Sequence, residues 1–97
     1  MNQYLQSLKN LILTELKGER VKVVLFGSRA RGDYHLTSDI DIGILPFNGL
    51  NQKKITLLKE KIEDLNIPYK VEVVNLLEAS ESFKKESLNN ATVWKEC

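Results

Sequence analysis

Cysteine is almost missing from this sequence, and its one copy, Cys97, is the last residue. An internal disulfide and a cysteine-based zinc cluster are therefore excluded. Long apolar runs are missing too, since stretches such as Leu11-Ile12-Leu13 are far too short to span a bilayer. The opening residues Met1-Asn2-Gln3-Tyr4 are polar and lead into a helical pattern, unlike a signal peptide. Neither sign of charge dominates. Lys and Arg total 14 against 13 Asp and Glu, a net charge of +1, which argues against gripping nucleic acid by charge alone. Repeats, low-complexity tracts and linker-like stretches are also lacking. What remains is an ordinary globular balance, 42% hydrophobic and 28% charged, which argues against disorder. The expectation is one soluble cytoplasmic domain over residues 1–97, with no membrane contact and no direct nucleic-acid binding. At 97 residues its core is small, and a partner subunit would help to stabilise it.

Apolar residues at Leu5, Leu8, Ile12 and Leu16 predict a helix over 3–17, with Gly18 placed for a left-handed cap. Val21 to Phe26 is a β-branched run of strand length that stops at Gly27-Ser28. Residues 28–32 have room for one or two helical turns, and 33–38 read as loop. Asp39 to Leu45 alternates polar and apolar at period two and meets Pro46, which ends a strand. After turn residues Asn48-Gly49, the stripe Ile55, Leu58, Ile62 and Leu65 predicts a helix over 51–66, closed from outside by Pro68. Lys70 to Val74 is a third strand and residues 76–88 a further helix. The tail from Asn89 is left without an assignment. Trp94 and Val93 there are candidates for core or partner surface. The fold class is α/β (α+β), a small mixed sheet packed with helices.

Two places carry chemistry. Asp39 and Asp41 stand at i and i+2 of a strand, hence on one face and about 6.5–7 Å apart. Alternation alone produces such a pair as a solvated acidic face. The other reading is a hard-metal site, because Mg²⁺ accepts one or two carboxylates and takes its remaining ligands from water and phosphate. Glu72, in a strand otherwise made of valine, completes a three-carboxylate cluster if its strand lies beside that of Asp39; alone it is an exposed strand glutamate. The second place is Gly27-Ser28, where a strand closes and a short helix opens. Glycine there lets backbone approach a ligand, and the free N–H groups with the serine hydroxyl suit phosphate, although a plain β-to-α turn capped by Ser28 has the same residues. Arg29 and Arg31 are placed to neutralise phosphate, or are simply solvated. No Gly-Lys-Ser/Thr follows, so this is not a Walker A loop. His35 is a lone loop histidine.

Gly27-Ser28, followed after residues 29–38 by Asp39-x-Asp41, resembles the signature of the DNA polymerase β-like nucleotidyltransferase superfamily. The wording Gly-Ser-Arg-Ala-Arg-Gly and Ser-Asp-Ile-Asp-Ile is similar to its minimal nucleotidyltransferase (MNT) branch, and Glu72 falls where the family has its third carboxylate, often an aspartate. The resemblance spans essentially the whole chain and implies the nucleotidyltransferase fold. It implies Asp39, Asp41 and Glu72 as catalytic and metal-binding residues holding two Mg²⁺ ions, and Gly27, Ser28, Arg29, Arg31 and Ser38 as nucleotide contacts. It further implies ATP as donor of AMP, and an antitoxin role in which AMP passes to a tyrosine of a HEPN-domain toxin held in a hetero-oligomer. Two alternatives stand beside it: an antitoxin that blocks its partner by contact alone, and a small-molecule adenylyltransferase, which would need an acceptor pocket from a further domain.

Overall fold

A computed structural model describes residues 3–27, 39–47, 49–89 and 91–96. The elements run α1 (Gln3–Glu15), β1 (Val21–Phe26), β2 (Ile40–Pro46), α2 (Gln52–Glu63), β3 (Val71–Asn75), α3 (Glu81–Leu88) and β4 (Thr92–Lys95). The four strands make one mixed sheet in the order β3-β2-β1-β4. β1 is antiparallel to both β2 and β4, whereas β2 and β3 are parallel, joined by a crossover through α2 as parallel pairing requires.

Alternation divides the sheet into two unlike faces. Ile40, Ile42 and Ile44 of β2, with Val21, Val23 and Leu25 of β1, turn toward α1 and α2. There they meet Leu5, Leu8, Ile12 and Leu16 from the first helix and its final turn, Leu58 and Ile62 from α2, and Trp94 from β4. The three isoleucines are completely buried, and each such side chain contributes about 1.5–3 kcal/mol. An ion pair between Lys61 and Glu15, 2.7 Å long, ties α2 to α1 at the edge of this layer. Among the described residues, the opposite face carries a smaller cluster of Val24, Phe26 and Leu76, with Leu45, Val74, Leu88 and Ala91 packed around it.

Local chemistry sets the ends of the elements. The Asn51 side chain accepts from the Lys53 N–H and caps α2. Gly18, just past α1, has φ +86°, the left-handed conformation expected of a helix-ending glycine. The helix predicted over 76–88 is shorter than its pattern. It starts at Glu81, where Ser80 Oγ accepts from the Phe83 N–H. Leu76 instead continues the β3–β2 pairing, donating its N–H to the Ile44 carbonyl at 2.8 Å, and buries its side chain over Gly43. The unassigned tail contains β4, with Trp94 buried in the main core and Val93 exposed. The predicted short helix at 28–32 and loop at 33–38, His35 included, lie outside the described residues. Among the described residues, no helix is long and apolar enough to cross a membrane.

Candidate active site

The parallel register between β2 and β3 sets Asp41 directly against Glu72. Strand neighbours in register share a face, so the two carboxylates rise side by side from the face of the sheet opposite the main core. Asp39 precedes β2 by one residue and is exposed. Asp41 and Glu72 are each partly buried. The condition set by the sequence, that the Glu72 strand lie beside that of the aspartates, is met.

On the other side of Asp41, the antiparallel register pairs it with Phe26, and the next residue is Gly27. Gly27 has φ +78°, a conformation that side chains rarely adopt. A Cβ built there would overlap Oδ2 of Asp41 and come within 3.3 Å of its Cγ. Glycine is thus required twice at this position, by backbone conformation and by the carboxylate that occupies the space. The sequence suggests that glycine here lets backbone approach a ligand; among the described residues the group pressed against Gly27 is Asp41. Ser28, Arg29, Arg31 and Ser38 lie outside the described residues.

Lys70 is the site residue that the sequence reading passed over. Two positions before Glu72 on the same face, it donates from Nζ to Glu72 Oε1 at 2.9 Å. That hydrogen bond and the lysine charge hold the Glu72 carboxyl below the usual carboxylate range. In return Glu72, and more weakly the charge of Asp39, raise the Lys70 ammonium above its ordinary value. The period-two spacing of Lys70 and Glu72 was the available signal. With Glu72 turned to Lys70, no three acidic, histidine or cysteine side chains among the described residues converge enough to hold an ion. The donor set nevertheless suits a hard divalent cation. It offers carboxylate oxygens from Asp41 and Glu72 at paired positions of two strands and from Asp39 at the entry of β2, the oxygen donors that Mg²⁺ takes, and the Lys70 ion pair is largely exposed.

An acid row across two strands thus ends at a strand-closing glycine pressed against one of the acids. The family model described as "Polymerase beta, Nucleotidyltransferase" matches residues 7–96, and the chain belongs to that family of enzymes. A Methanocaldococcus jannaschii protein, provisionally named a protein adenylyltransferase, is 40% identical over 65 residues. That match covers 67% of this chain and 60% of the relative, less than two thirds of its length. Among solved structures, a toxin–antitoxin complex with AMP-PNP aligns at TM-score 0.70 and 25% identity, over 92% of this chain and 73% of the other. A complex of tri-AMPylated Shewanella oneidensis HEPN toxin with its MNT antitoxin aligns at TM-score 0.66 and 22% identity, over 95% and 72% of the two chains. The latter likeness is one of fold, and the fold is that of the minimal nucleotidyltransferases.

Proposed function

We propose that this chain is a Mg²⁺-dependent adenylyltransferase that moves AMP from ATP to a hydroxyl of a HEPN-domain toxin in the cytoplasm, and so acts as its antitoxin. The observation that carries the reading is the register of Asp41 against Glu72, which aligns the acids as a phosphoryl-transfer site would need them. The bound AMP-PNP of one structural neighbour and the AMPylated partner of another lend it support. Residues 1–97 act in this reading as a single minimal domain.

Asp39, Asp41 and Glu72 would hold the metal ions. Bound Mg²⁺ supplies charge to neutralise the α-phosphate and to acidify the attacking hydroxyl. Glu72, or one of the two aspartates, would accept the proton of that hydroxyl. Gly27 keeps the end of β1 free of side chain beside Asp41, so the phosphates approach backbone N–H groups there, with Ser28, Arg29, Arg31 and Ser38 as further contacts. Transfer breaks the bond between the α- and β-phosphates, joins the α-phosphorus to the acceptor oxygen and releases pyrophosphate. The measured 40% identity to the M. jannaschii protein favours protein over a small molecule as acceptor.

The test incubates the chain with Mg²⁺, α-labelled ATP and the product of the neighbouring gene, alongside the Asp39→Asn/Asp41→Asn variant. Label should appear on the neighbour with the wild-type chain and fall about a thousandfold in the variant, the loss of several kcal/mol of charge stabilisation. Inhibition of the neighbour that survives in the variant, with no label, would replace catalysis with simple binding.

A further inference from the structure

Beside Gly27 lies a cavity of about 210 Å³ that the reaction above leaves without a role. Phe26, Gly27, Phe83, Glu86, Ser87 and Asn89 line it. The rings of Phe26 and Phe83 meet edge to face, with centroids 6.0 Å apart and planes at 88°. Phe26 is buried, yet Phe83 leaves 43% of its surface in water. A phenylalanine held by a ring contact and still partly open to solvent offers a surface to another flat group.

We propose that this cavity receives the adenine base of the nucleoside triphosphate, with Phe83 as its stacking surface and Asn89 and Glu86 as the residues that read it. The inference rests on the nucleotidyltransferase reading and deepens it. Position comes first. Phe26 is the register partner of Asp41, and Gly27 both lines the cavity and meets the Asp41 carboxylate, so the cavity and the acid row adjoin one another at Gly27. A triphosphate lying over the Gly27 turn, with its reacting end at the acids, leaves its nucleoside within reach of the Phe26–Phe83 side. The chemistry of the lining comes second. An asparagine amide offers one donor and one acceptor, matching the N6 amino and N7 edge of adenine. A carboxylate only accepts, so at that same N7 edge Glu86 favours the adenine amino group and opposes the O6 carbonyl that guanine presents in its place. Stacking on phenylalanine gives affinity for any base; Glu86 and Asn89 give the choice among them.

Calorimetric titration of the full chain with ATP, GTP and inorganic tripolyphosphate, each with Mg²⁺, tests this in wild type, Phe83→Ala and Glu86→Gln. The wild type should bind ATP about tenfold or more tighter than tripolyphosphate, the size of one stacked base. Phe83→Ala should remove most of that advantage and leave tripolyphosphate binding unchanged. Glu86→Gln, at an exposed helix position, should narrow the preference for ATP over GTP about fivefold. It keeps the question decidable if Phe83→Ala folds poorly. An ATP affinity unmoved by Phe83→Ala, an equal loss for ATP and tripolyphosphate, or an ATP-to-GTP ratio unmoved by Glu86→Gln overturns the proposal. A wild type that binds tripolyphosphate but prefers no base overturns it while leaving the nucleotidyltransferase reading in place. One that binds neither ligand removes both.

Discussion

The two faces of β2 are built on opposite rules within seven consecutive residues. One face presents Ile40, Ile42 and Ile44, all completely buried against α1 and α2. The other presents Asp41 and Gly43, following Asp39 at the strand's entry. On the first face volume is everything, because the surrounding side chains leave no room for slack. On the second, absence of volume matters. Gly27 gives way to the Asp41 carboxylate, and Gly43 gives way to Leu76, whose Cδ1 would lie 2.8 Å from an added Cβ. Stability is thus concentrated on one side of a strand, and the groups for chemistry are carried on the other by the same backbone.

The comparison can be broken most severely from the packed side. Ile42→Ala should cost about 2–5 kcal/mol in chemical denaturation, whereas Asp39→Asn, just outside the same strand, should move stability by less than about 0.5 kcal/mol. Equal losses at both positions would erase the division. A smaller effect tests the thin side. Gly43→Ala should cost about 1–3 kcal/mol by forcing Leu76 and Val24 apart, and a neutral result would mean that Leu76 moves without penalty. The smallest effect concerns charge. In the metal-free protein, Lys70→Met should let the Glu72 carboxyl titrate at higher pH, nearer its ordinary value, as followed by NMR. Because the folded value is depressed, the ion pair's stabilising effect is present above the unfolded value and lost as pH falls through the folded one. Both side chains are substantially exposed, so the effect on stability is slight and the titration itself is the informative reading. A Glu72 that titrates identically in the variant would rule the ion pair out as its cause.

Most of this layout is legible in the chain because it depends on period and punctuation. Val21 to Phe26, Ile40 to Pro46 and Val71 to Asn75 form strands where alternation or β-branched runs predict them, and the spacing of Ile55, Leu58 and Ile62 predicts α2. The candidate acids were legible for the same reason, since period two fixes their face. Their register was not, because strand order depends on contacts between distant segments. Leu76 and Leu77 suited a helix by composition, yet tertiary packing over Gly43 claimed Leu76 and postponed α3 to the Ser80 cap. β4 escaped notice because four residues give too short a period to stand out. Its pairing with β1 defines it, with Val93 exposed and Trp94 buried.

The central place of β1 has a consequence in time. One of its edges pairs with β2, which follows soon in the chain, but the other pairs Val24 with Val93 and Leu25 with Thr92. During synthesis on a ribosome, that second edge therefore stays open until nearly all of the described chain has emerged. Closing so long a loop is entropically slow, and an unpaired apolar strand edge is the surface on which nascent chains associate wrongly. Among the described strands, the last to be made is thus the one that seals the first.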